Sequence, residues 1–164
     1  MLDAFPGQRF LFHLKTDDPA DGAAPAAVLA ARPPEDRDLW IVYGGERAVA
    51  SARAAVPGLR EVGKASTKAC LLPYLAYGWT GIAPSACRGQ VVAVPISHVG
   101  WLWGWPNRFL ARMDGVGATV MLTGPLTGGP MGGVDDEATR ALVPPGFGGH
   151  VWTNHIETVG VPSR

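Results

Sequence analysis

A chain of 164 residues with 14 basic and 14 acidic side chains has no net formal charge, is 47% hydrophobic and only 17% charged. That balance excludes a disordered chain, which needs low hydrophobicity and high net charge. It also excludes nucleic-acid binding driven by bulk charge, because there is no surplus of Lys and Arg to displace counterions.

The length predicts a single domain, 1–164, large enough to bury a real core. Glycine and proline are abundant, 22 and 15 residues, without a fixed period. Many short elements are therefore expected rather than a long helical bundle.

In chain order, Met1 to Pro6 lacks the basic and apolar stretches of a signal peptide, and no run reaches the ~18 apolar residues of a membrane span. A cytoplasmic location is expected on that basis, or a periplasmic one if a leader lies upstream. Strand-like residues begin at Arg9 with almost no lead-in, which fits either an abrupt start or the later part of something longer. Arg9 to Lys15 alternates apolar and polar side chains and reads as a strand. Ala23 to Ala31 is alanine-rich and helix-prone, with Pro25 placed in its first turn and Pro33-Pro34 as its stop.

Leu39 to Tyr43 is a short apolar run closed by Gly44-Gly45, the pattern of a strand buried on both faces. Glu46 to Val56 has helical spacing and stops at Pro57-Gly58. Strand alternating with helix predicts a parallel sheet with crossover helices.

Thr67 to Tyr77 reads as a helix kinked or divided by Pro73, and Gln90 to Ile96 as a strand. Pro106 to Met113 reads as a helix with Gly117 beyond its end. Ala118 to Leu122 is the next strand, Gly128 to Gly133 a loop, and Val134 to Leu142 a short helix with Asp135, Asp136 and Glu137 in its first turn. Gly149 to Asn154 is the last strand. Cys70 and Cys87 fit either one disulfide or two small buried apolar groups, the second being the preferred reading.

Residues able to carry chemistry are few. His13 and Lys15 are two apart on one strand and so share a face. Unpaired in a dry core they would be costly, so that face either lines a polar pocket for an anion or metal or is an edge open to water. His98 follows a strand, at the end where parallel α/β folds build their sites, or else sits on a surface loop.

His150 enters the last strand and His155 leaves it, too far apart to share a metal. Trp101, Trp103 and Trp105 alternate after a strand and form either an aromatic rim for a sugar, an alcohol or a lipid-like chain, or a cap that packs on the protein or a partner. Gly124 to Pro130 matches neither a Walker loop nor a dinucleotide fingerprint. Asp17 and Asp18 are the best acidic candidates, with helix capping as the alternative.

Leu2 to Lys15, with its Pro6-Gly7 and apolar strand, resembles the segment entering the third barrel strand of glycerophosphodiester phosphodiesterases. Trp40 to Tyr43, followed by Val56-Pro57-Gly58-Leu59-Arg60, is similar to the next strand and helix exit of that family. Tyr77-Gly78-Trp79 with Pro84, Val94-Pro95, Trp105 to Phe109, and Gly149 to Asn154 resemble a bacterial branch of it, in the same order.

The resemblance implies an incomplete TIM (β/α)8-type barrel of about six parallel strands, corresponding to the third to eighth strand-helix units. It implies a metal-dependent phosphoric diester hydrolase of lipid metabolism, converting a glycerophosphodiester and water to an alcohol and glycerol phosphate with Mg²⁺ or Ca²⁺. It implies Lys15 on the phosphate, and with Trp101 and Trp103 of the aromatic rim and Trp152 of the last strand this gives the expected substrate-binding residues.

The chain departs from the family pattern at several points. It contains neither the His-Arg-Gly nor the acidic strand that supply the family's acid/base groups and metal ligands, so no catalytic residue is assigned. His13 stands at the family's metal-ligand glutamate, where imidazole suits zinc-like metals better than hard cations. Met121-Leu122-Thr123 stands where the family has Trp-Thr. Six strands cannot close an eight-strand barrel. Open sheet edges are therefore expected, one of them at Phe10–Lys15, in a chain that is a fragment of a longer enzyme or one that pairs with a second chain. The alternative to an enzyme is a non-catalytic module that binds a polyol phosphate or a partner.

Overall fold

A computed structural model describes residues 2–126 and 132–159. It is an α/β structure with two three-stranded parallel sheets, and the chain divides into two compact units, Met1–Gly63 and Lys64–Arg164.

In the first unit, β1 (Phe10–Leu14) pairs with β2 (Trp40–Gly44), and β2 with β3 (Arg60–Glu61), all parallel and in chain order. The alternation read along β1 is present: Phe10, Phe12 and Leu14 turn inward while Leu11 and His13 are exposed. Trp40, Ile41 and Val42 are all buried, as a strand covered on both faces requires. Helices α1 (Pro19–Ala30) and α2 (Glu46–Ala55) form the crossovers, and their Ala26, Leu29, Ala48, Val49 and Ala52 pack with Leu14, Trp40 and Val42 into one core.

The helix expected over 23–31 begins four residues earlier. Asp18 caps it, accepting from the Ala20 N–H at 2.9 Å, and Pro19 takes a first-turn position where its missing N–H costs nothing. Pro25 consequently falls inside the helix rather than in its first turn. Strand β3, two residues long, is too short to leave a periodic signal in the sequence.

In the second unit, β4 (Val91–Pro95), β5 (Thr119–Thr123) and β6 (His150–Val151) are again parallel and in chain order. Val92, Val94, Val120 and Leu122 pack against Cys70 and Tyr74 of α3 (Lys64–Tyr77) and against Phe109 and Met113 of α4 (Asn107–Gly115). Pro73 lies inside α3 without dividing it. Gly117, at φ +69°, ends α4 in the left-handed conformation. The Ala118 N–H bonds back to the Met113 carbonyl and the Gly117 N–H to that of Asp114, the paired pattern of a glycine-terminated helix.

Two expectations shrink here. The helix expected over 134–142 is only α5 (Glu137–Arg140), because Asp136 starts it with a reciprocal capping box with Thr139. The last strand is only His150–Val151, because Thr153 and Asn154 turn aside to bond Asp135. A last short helix, α6, covers Ile156–Val159. The loop expected at Gly128 to Gly133 lies largely outside the described residues. Cys70 and Cys87 form a disulfide, so the preferred reading of two buried thiols is corrected. The residues between them bring the chain back from the end of α3 to a 3-10 turn at Ser85–Cys87, and both sulfurs sit fully buried in the core.

Candidate functional site

In parallel α/β sheets, ligands meet the carboxyl ends of the strands. In the first unit that end carries His13 and Lys15. His13 is exposed, and its ring stacks on Tyr43, its neighbour in register, at 4.3 Å between centroids. Burial holds the Tyr43 hydroxyl above its ordinary range. Lys15 follows the strand, is exposed, and makes no hydrogen bond or ion pair among the described residues.

Arg60 lies in register with Ile41, so it shares the helix-free face of the sheet with Leu11 and His13. Burial lowers its pKa; Asp38 acts in the opposite sense and Arg9 adds to the lowering. Register thus brings His13 and Arg60 to this face, while Arg9 precedes the strand close enough to act on Arg60 and Lys15 follows it. Sequence reading missed Arg60, since only the register of a two-residue strand places it there.

The acidic candidates serve the scaffold. Asp18 caps α1. Asp17 accepts from the Arg47 backbone N–H at 2.7 Å and from its Nε at 2.9 Å, closing the start of α2. Those bonds hold its carboxyl below the usual carboxylate range. Among the described residues no three His, Cys, Asp or Glu side chains stand close enough to share a metal ion. The described residues thus bring no such cluster to His13.

In the second unit, Ile96–Trp101 forms a 3-10 segment after β4. Ser97 Oγ lies 2.8 Å from His98 Nδ1 and also accepts from the Leu126 N–H at 3.3 Å; the His98 ring meets the Trp101 edge at 4.5 Å. The three alternating tryptophans do not form one rim. Trp101 is 66% exposed. Trp103 packs along the helices, its indole N–H donating to the Leu75 carbonyl at 2.9 Å, one of the carbonyls that the end of α3 leaves unpaired. Trp105 precedes a cis peptide bond to Pro106 and packs against Phe109 in the core.

Trp152 is half-buried beside β5, its backbone N–H donating to the Leu122 carbonyl at 2.8 Å. Asp135, expected to serve a helix dipole, instead accepts from Thr153 Oγ1 and from the backbone and side chain of Asn154. These bonds, the Asn154 backbone first, hold it below the usual carboxylate range. His155 pairs with Glu157 at 3.0 Å, and His150 lies in register with Met121.

A cavity of about 200 Å³ lies among Leu2, Gln8, Phe10, Arg32, Asp36 and Trp40. Phe10 and Trp40 open their strands, so the cavity is at the amino end of the sheet, opposite to where such folds place their chemistry. No helix among the described residues is long and apolar enough to cross a membrane. No family model, no curated protein and no solved structure matches the chain.

Proposed function

We propose that the chain is the six-strand part of a glycerophosphodiester phosphodiesterase barrel and contributes its phosphate-binding side, with Lys15 as the phosphate ligand. The observation that carries this reading is the winding order. Each sheet runs in strict chain order, all strands parallel, with α1 and α2 packed on one face of the first sheet and α3 and α4 on one face of the second. Crossovers of one hand that always step in the same direction give this singly wound arrangement, the one a barrel needs. A doubly wound sheet reverses its order at a switch point instead.

The face left free of helices in the first unit becomes the inward face in this reading. At the carboxyl end of β1 the exposed Lys15 ammonium, unpaired among the described residues, offers positive charge to a phosphodiester. The chain's own residues bind and orient the phosphate. The proton transfers that convert diester and water to alcohol and glycerol phosphate need an acid/base pair that these residues do not supply.

The test is calorimetric titration with glycerol 3-phosphate. Lys15→Ala should weaken binding about tenfold or more, the worth of one charge-assisted hydrogen bond, while Lys68→Ala on α3 should leave it unchanged. Equal binding by the Lys15 variant and the unaltered chain discards the reading.

A further inference from the structure

Charge is unevenly distributed along this neutral chain. Residues 62–113 contain no Asp or Glu, while Lys64, Lys68, Arg88, Arg108 and Arg112 all fall within them. The same stretch holds six large exposed apolar side chains: Leu72, Tyr77, Trp79, Ile82, Trp101 and Trp103. Lys64, Lys68 and Leu72 follow the spacing of one helical stripe running down α3, and Trp79 lies in the turn beyond it. Trp79 is 67% exposed.

Arg112 joins the lower part of this surface. Its Nη1 donates to the Tyr74 hydroxyl at 2.7 Å and to the Gly78 carbonyl at 2.8 Å, and Tyr74 in turn donates to the Trp103 carbonyl at 2.7 Å. Its Nη2 lies beside Gly81, next to Ile82. The backbone at Gly78, Gly81 and Trp103, next to Trp79 and Ile82 in the chain, is thus gathered around one guanidinium. Lys64, Lys68, Arg88 and Arg108 are exposed and unpaired among the described residues.

We infer that this face of the second unit docks on an anionic lipid bilayer, lying in its interface rather than crossing it. Tryptophan and tyrosine favour the headgroup level, where an amphipathic ring keeps one edge apolar and one wet. Unpaired cations with no carboxylate on the same stretch complement a negative leaflet, each strengthening binding about fivefold near the surface. A soluble polyanion would be met by the cations alone and gives no role to the exposed Trp79 and Ile82. The inference does not rest on the phosphodiester reading, since none of these residues belongs to the Lys15 face.

The test is co-sedimentation of the full chain with vesicles of pure phosphatidylcholine and with equimolar phosphatidylcholine and phosphatidylglycerol, alongside tryptophan quenching by brominated lipid. Binding is expected on the anionic vesicles only, falling as salt rises. Lys68→Glu should weaken it at least fivefold, and Trp79→Ser should weaken binding and reduce quenching. Three results would overturn the inference: no binding to anionic vesicles at low salt, binding indifferent to both substitutions, or heparin binding that matches vesicle binding and survives Trp79→Ser. Glycerol 3-phosphate titration of the same variants separates this outcome from the fate of the Lys15 proposal.

Discussion

Gly22 sits on α1 where the helix meets α2, and a Cβ there would come 1.9 Å from the Ala48 carbonyl oxygen. A backbone oxygen cannot swing aside as a side chain does, so the helices would have to separate. Gly115, the last residue of α4, has nothing within 4 Å of the corresponding position. Gly22→Ala should therefore destabilise the protein by about 3 kcal/mol or more, whereas Gly115→Ala should stabilise it by about 0.4–1 kcal/mol by reducing unfolded-state entropy. Urea denaturation of the two variants checks both signs, and equal effects would mean that α1 and α2 do not approach this closely. Asp17, Asp18 and Asp135 make the same point for charge: each carboxylate is occupied by backbone or side-chain donors of its own scaffold.

Among the elements, the clearest lesson comes from α3 and the turn it is tied to. The helix contains an interior proline, so it needs support from outside its own hydrogen-bond ladder. Trp103 supplies a donor to the Leu75 carbonyl, Arg112 supplies one to Gly78, and the Cys70–Cys87 disulfide closes a loop of 17 residues. In the chain-entropy account a loop of this length is worth roughly 3 kcal/mol. The double variant Cys70→Ala/Cys87→Ala should lose about that much in urea denaturation under oxidising conditions. It should also become insensitive to added dithiothreitol, while the unaltered chain loses stability on reduction. A variant as stable as the unaltered oxidised chain would show that packing alone holds the turn.

For the molecule as a whole, sheet edges are the governing feature. Among the described residues β1 pairs on one side only, with β2, and Leu11 on it is 37% exposed. An open strand with an apolar side chain is a template for pairing with another chain. Leu11→Lys should slow aggregation, read as static light scattering at fixed protein concentration, because a charge on an edge strand opposes such pairing. Unchanged scattering would indicate that this edge is covered. The edge expected at Phe10–Lys15 is thus where the structure has one. The closed or completed barrel remains part of the proposal.

The order of elements was legible in the residues alone. Apolar β-branched runs separated by helical spacing and bounded by Gly and Pro determined β1, β2, β4 and β5, and with them a parallel α/β class, because each signal lies within one short window of chain. The outward place of His13 on β1 follows from a period of two along the strand. Contacts distant along the chain were decided only by the tertiary structure. These include the pairing of Cys70 with Cys87, the place of Arg60 beside Ile41, and the use of Asp17 to start a helix 30 residues away. The same holds for the parting of Trp103 from Trp105, one on the helices and one in the core. Local sequence sets what a segment can become, whereas packing between segments sets which polar groups find partners.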